Sequence, residues 1–112
     1  MNKIEAVIKP FKLDEVKEAL NAIGVTGMTI FEAKGYGRQR GHKEIYRGTE
    51  YQTEFVPKIT LNIVAEEGMT DKIVATIQET ANTGKIGDGK IFVLPVQNTI
   101  RIRTGETGPD AV

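Results

Sequence analysis

The chain has 112 residues, 15 basic and 15 acidic side chains that cancel to zero formal charge, 39% hydrophobic residues and no cysteine. This composition fits one soluble globular domain with a single core. It excludes a disulfide framework and thiolate zinc sites, and it offers no basic excess for duplex DNA. His42 is the only histidine, which excludes a multi-histidine metal site within one subunit. No stretch approaches the ~20 apolar residues that span a bilayer. Charge interrupts the N-terminal run Met1 to Glu5, so it does not read as a signal peptide.

Residues 3–9 alternate, with Ile4, Ala6 and Ile8 on one face and Lys3, Glu5, Val7 and Lys9 on the other, which predicts a half-buried strand ended by Pro10. Leu13, Val16, Leu20 and Ile23 recur at helical spacing over 13–23, and Gly24 is placed as the stop. A second strand is expected over 28–36, where Thr29, Ile30, Phe31 and Tyr36 favour it. A third, over 58–65, buries Ile59, Leu61 and Ile63. Thr70 is the expected N-cap of a second helix, with Asp71 favourable to its dipole and Ile73, Val74, Ile77 and Ala81 as its buried stripe. Residues 91–96 form a nearly all-apolar fourth strand, and 100–103 a short fifth that buries Ile100 and Ile102.

The order β-α-β-β-α-β, with a short addition, predicts an α+β fold of the ferredoxin-like type. Its helices cover one face of an antiparallel sheet and leave the other to water, a ligand or another subunit. Together with the apolar fourth strand, this predicts an oligomer.

Three segments concentrate glycine and positive charge. The first, Thr83-Gly84-Lys85-Ile86-Gly87-Asp88-Gly89-Lys90, packs three glycines and two lysines into eight residues. Glycine lets backbone N–H groups approach an anion, and lysine adds charge for a phosphate. The run satisfies seven positions of a phosphate-loop motif, but Ile91 stands where a Ser or Thr should hold the metal. A helix pattern also precedes the run and a strand follows, the reverse of that motif. The plainer alternative is a long glycine turn. In the second segment, Arg101 and Arg103 stand two apart, so a strand would put both guanidiniums on one face, suited to phosphate oxygens; an ordinary solvated face is the alternative. The third is Gly35-Tyr36-Gly37-Arg38-Gln39-Arg40-Gly41. It opens the stretch 37–55, far longer than the ~2–5 residues of a usual hairpin loop. Tyr46, Tyr51 and Phe55 in that stretch are candidate interface anchors, or else Tyr46 and Phe55 pin its base.

These segments, with Lys3-Ile4-Glu5-Ala6, Lys9-Pro10-Phe11-Lys12-Leu13, Gly27-Met28-Thr29, Tyr46-Arg47-Gly48-Thr49-Glu50-Tyr51 and Ile100-Arg101-Ile102-Arg103-Thr104-Gly105-Glu106, give a chain that resembles the nitrogen-regulatory PII signal-transduction proteins over essentially its whole length. The resemblance implies one domain over 1–112, with an effector loop at 37–55, a phosphate-binding loop at 82–90 and a C-terminal segment at 101–112. It implies a cytoplasmic homotrimer that senses ATP or ADP and 2-oxoglutarate in clefts between subunits. Nucleotide would be held by Val7, Thr29, Gly35, Gly37, Arg38, Gln39, Val64, Thr83, Gly87, Asp88, Gly89, Lys90, Arg101 and Arg103. The 2-oxoglutarate ligands would be Gly37, Gln39, Arg40, Gly41, Lys58 and Gly87, with Gln39 sharing Mg²⁺ with the ATP phosphates. For Val7 and Val64, plain burial in a subunit interface is the other reading. Tyr51 matches the nucleotidylated tyrosine of the family, and Thr49 is a second candidate for modification. Partners implied are ammonium transporters, which would recruit the protein to the membrane, together with nitrogen-assimilation or other metabolic enzymes, modifying enzymes and transcription regulators, but no nucleic acid. Val7 replaces a frequent Ile, Asn82 a frequent Arg and Thr49 a usual Ala or Ser; the Asn82 change removes one phosphate or neighbour-subunit contact.

Two other function classes compete. A small nucleotide-dependent ATPase or phosphatase would need a base, and His42 with Glu44 is a poor one on a polar loop. An RNA-binding domain shares the fold, but zero net charge and the lack of an aromatic sheet motif argue against it.

Overall fold

The computed structural model describes residues 1–37, 43–46, 49–52 and 55–112, and side chains only outside 38–54. Strand β1 (Asn2–Ile8) leads through a 3₁₀ turn at Pro10–Lys12 into helix α1 (Leu13–Ala22). Strand β2 (Thr29–Gly35) follows. A separate two-stranded pairing of β3 (Lys43–Tyr46) and β4 (Thr49–Gln52) comes next, then β5 (Val56–Ala65), helix α2 (Thr70–Ala81) and β6 (Lys90–Pro95). The main sheet has the order β2-β5-β1-β6 with every neighbour antiparallel, which is the expected ferredoxin-like topology.

Alternation along the two central strands decides the layers. Ile4, Ala6 and Ile8 of β1 and Ile59, Leu61 and Ile63 of β5 are buried against Val16 and Leu20 of α1 and Ile73, Ile77 and Ala81 of α2. Truncating a fully buried residue such as Leu20 to alanine costs about 2–5 kcal/mol. Helix α1 ends as the sequence expects. Gly24 sits at φ +97°, its N–H donates to the Asn21 carbonyl (3.1 Å), and the Val25 N–H donates to the Leu20 carbonyl (3.0 Å). That paired pattern satisfies two carbonyls which the helix end would otherwise leave open, and buried Val25 and Leu20 complete it.

Two expectations need correction. Thr70 is not the N-cap of α2: Met69 holds that position without a side-chain cap, and Thr70 is the first helical residue. Its hydroxyl is buried and accepts from Asn2 Nδ2 at 2.9 Å, so it ties the helix to β1. Residues 100–103 are not a fifth strand. They lie in a turn closed by an isolated bridge from Ile100 to Thr107, and Ile100 (58% exposed) and Ile102 (99%) do not reach the core. The glycines explain this: Gly105 and Gly108 both take positive φ and fold the segment back on itself, with the Gly108 N–H donating to the Thr99 carbonyl. The long insertion between β2 and β5 is present as expected, and a further finding refines it: β3 and β4 pair within it, Tyr46 opposite Thr49.

The sheet face opposite the helices is bare. Phe31 of β2, Val64 of β5, and Phe92 (48%) and Leu94 (42%) of β6 stand exposed there. On the helix side of β6, Ile91 packs against the core while Val93 is half exposed.

Candidate functional site

The glycine run between α2 and β6 folds around one carboxylate. Asp88 Oδ2 accepts from the N–H groups of Thr83 (2.7 Å) and Gly84 (3.0 Å). Asp88 Oδ1 accepts from the Thr83 hydroxyl (2.5 Å) and pairs with the Lys9 ammonium, at the end of β1, at 3.2 Å. The Thr83 hydroxyl bond is the strongest cause holding this carboxyl well below the usual carboxylate range; backbone and Lys9 bonds add to it, and partial burial opposes it. A second lysine grips the loop from β5: Lys58 Nζ donates to the Gly87 carbonyl. Burial lowers the Lys58 pKa, nearby Lys9 lowers it further, and Asp88 offsets part of the change.

Gly87 and Gly89 flank Asp88 with φ of +99° and +100°. A side chain at 89 would collide with the Val7 carbonyl, so only glycine lets the loop lie against β1. The loop then forms one wall of a cavity of about 700 Å³, also lined by Val7, Gly35, Tyr36, Gly37, Lys58, Ile86, Lys90 and Phe92. Two ammonium groups and two positive-φ glycines converge on this space, a chemistry for phosphate or carboxylate oxygens. The Tyr36 and Phe55 rings, both largely exposed, meet at 50° with their centres 5.8 Å apart at the base of the long insertion.

Of the expected nucleotide ligands, Val7, Gly35, Gly37, Gly87, Gly89 and Lys90 line this cavity, and so does the expected 2-oxoglutarate ligand Lys58. Thr83 and Asp88 belong to the same loop but bond to each other. Four expected ligands lie elsewhere. Val7 pairs with Thr60 and Val64 with Lys3, four residues apart along β1, or about 13 Å. Thr29 lies between them, opposite Asn62. Arg101 and Arg103 occupy the turn beyond β6 at the Met1 end of the sheet, where Val96 N–H bonds the Met1 carbonyl. Arg101 Nη1 there donates to Glu106 Oε1 at 3.1 Å, and the Thr104 hydroxyl donates to the same oxygen at 2.8 Å. Arg38, Gln39, Arg40, Gly41 and His42 lie outside the described residues; Tyr46, Thr49 and Tyr51 fall on β3 and β4, where only the backbone is described. Lys9, Tyr36, Ile86 and Phe92 are not among the expected ligands, although Tyr36 and Ile86 sit inside the two glycine-rich segments; their place follows from β1, β2 and β6 meeting the loop at one end of the sheet.

The glycine loop at the Val7 end of β1 and the arginine turn at its Met1 end thus lie toward opposite ends of the sheet. The only buried side-chain acceptor without a partner among the described residues, Asn62 Oδ1, lies on the bare sheet face.

The family profile described as Nitrogen regulatory protein P-II matches residues 1–106. The chain is 58% identical over all 112 residues to proteins of that name from Azospirillum brasilense and Rhodospirillum rubrum, covering each in full. It is 58% identical to Nitrogen regulatory protein P-II 1 of Escherichia coli (strain K12), again over the full length of both. The ferredoxin-like topology, the glycine loop at the end of β1 and this similarity along the whole chain place the protein in the nitrogen regulatory protein P-II family.

Proposed function

We propose that this regulator of nitrogen metabolism works as a trimer whose subunits complete one another's sites. It is a signal transducer, not an enzyme. The observation that carries the trimeric reading is the separation of two half-sites, the glycine loop and the arginine turn. Loop residues Gly87, Gly89 and Lys90 stand at the Val7 end of β1, whereas Val64 pairs at its Lys3 end, so Arg101, Arg103, Thr29 and Val64 of a neighbour would complete the loop's site. Phe31, Phe92 and Leu94 supply apolar surface for the neighbour to cover, and a donor from it would satisfy Asn62.

ATP or ADP would lie in each shared cleft with its phosphates against Lys90 and the loop glycines and against the neighbour's arginine turn. Its base would lie near Val7 and the neighbour's Thr29 and Val64. Lys58 and the 37–41 backbone would take the carboxylates of 2-oxoglutarate. Mg²⁺ would be held chiefly by phosphate and dicarboxylate oxygens together with Gln39. When bound, the ion would supply positive charge between those two anions.

Gly37 lines the cavity and opens the insertion that carries β3 and β4, so occupancy at its base can bias that arm directly. The arm would act on ammonium transporters or on metabolic and regulatory proteins, and would bring a cytoplasmic protein to the membrane in the first case. Tyr51 and Thr49 are its candidate modification positions. Light scattering combined with ATP calorimetry tests the assembly: a trimer that binds about one nucleotide per chain is expected. A monomer that binds ATP at full affinity would overturn the shared cleft.

A further inference from the structure

We propose that Asp88 is a positioning residue, a built-in anion that shapes the phosphate loop without touching the phosphates. This rests on the nucleotide reading above. A carboxylate between Gly87 and Gly89 would repel a phosphate if it faced one. It does not face the cavity that Gly87, Gly89 and Lys90 line; it lies instead against the smaller space of about 350 Å³ between α2 and β6. Its two oxygens take the N–H groups of Thr83 and Gly84, the Thr83 hydroxyl and the Lys9 ammonium.

Two consequences follow from that geometry. The first two N–H groups of the run are already satisfied and cannot serve a ligand; Gly84 N–H also reaches Asn82 Oδ1 at 2.7 Å. Anion binding therefore falls to the second half of the loop, whose backbone Asp88 and the Lys58 bond to the Gly87 carbonyl fix from opposite sides. Lys9 meanwhile pairs with the carboxylate at 3.2 Å, while Lys58 and Lys90 line the cavity.

The test uses the full-length protein and ATP calorimetry with and without Mg²⁺. Asp88→Asn and Thr83→Val should each weaken ATP about tenfold, the scale of one charge-assisted hydrogen bond. Thr83→Ser, which keeps the hydroxyl, should recover most of the affinity that Thr83→Val loses. The double variant should be no weaker than the worse single, because both changes break one unit. The fold-loss should be the same with and without Mg²⁺. A loss confined to Mg²⁺ conditions would make Asp88 a direct metal ligand, and multiplied losses would make the two residues independent; either result, or unchanged affinity, overturns the proposal. Amide exchange of Thr83 and Gly84 gives a ligand-free readout, and both should speed up in Asp88→Asn. Thr83→Val serves if that variant does not fold. If the unaltered protein binds no ATP, the nucleotide reading fails by itself, and unchanged exchange would then show that Asp88 does not hold the loop.

Discussion

The backbone of Gly89 lies so close to the Val7 carbonyl that a Cβ at position 89 would sit 1.6 Å from that oxygen. The φ of +100° at Gly89 adds a second barrier to any side chain. Gly89→Ala should therefore lift the loop off β1 and cost at least about 2 kcal/mol. Urea unfolding measures this, and a change below about 0.5 kcal/mol would show that the approach is looser than it stands here.

Lys90 and Arg103 carry their charge on opposite half-sites. Lys90→Ala and Arg103→Ala should each weaken ATP by roughly tenfold or more with little change in thermal midpoint, since both side chains are exposed in the lone chain. Mixing the two variants gives a sharper result. In mixed assemblies some clefts draw both intact halves and regain full affinity. If mixing restores nothing, the two residues do not meet across a boundary.

Asp88 sets a pH expectation. Its carboxyl is held lower in the folded chain than in the unfolded one. Its contribution to stability is thus complete above the unfolded value, near 3.9, and disappears only as pH falls through the lower folded value. Its carboxyl carbon resonance should stay flat from neutral pH to about pH 4; a titration in that interval would contradict the hydrogen-bond cluster. The same carboxylate raises the Lys58 pKa against burial and Lys9. Asp88→Asn should lower it further, and Lys58 should react faster with an amine-directed reagent at fixed pH.

Binding of 2-oxoglutarate should need ATP and Mg²⁺, and Gln39→Ala should remove most of it. Linkage requires that 2-oxoglutarate tighten ATP by the factor by which ATP tightens 2-oxoglutarate. Titrations that find the two ligands independent would refute a common site.

Deleting residues 42–53 should spare assembly and ATP binding while removing partner capture. β3 and β4 pair only with each other, and Tyr36 and Phe55 meet at the base on the core side of the deletion. Closure entropy changes slowly with loop length, so a shorter connection is mild. An unfolded product would make the hairpin structural, and retained partners would move the effector surface elsewhere.

The fold was legible because β1, α1, β5 and α2 each carry an unbroken period that tertiary packing obeys. The turn at 99–108 was not. Ile100, Arg101, Ile102 and Arg103 alternate as a strand does, but their partners are local, Thr107 for Ile100 and Glu106 for Arg101, and Gly105 and Gly108 close the segment on itself. The β3–β4 pair was missed for a related reason: Ile45, Tyr46 and Tyr51 are scattered among Lys43, Glu44, Thr49, Glu50 and Gln52, so the sequence there carries no apolar period to detect. At the site, composition located the phosphate loop, but the roles within it depend on side-chain direction. No spacing rule turns Asp88 away from the cavity or brings Lys9 to it.

The separation of the two half-sites also has a genetic consequence. A cleft assembled across a boundary is inherited from two polypeptides. Where a second chain of this family is made in the same cell and can enter the same ring, two of the three clefts in a mixed trimer would pair the loop of one gene product with the arginines of the other. The ratio of the two transcripts would then set the mixture of affinities, and the range of metabolite concentrations over which the population responds could widen without any substitution in either chain.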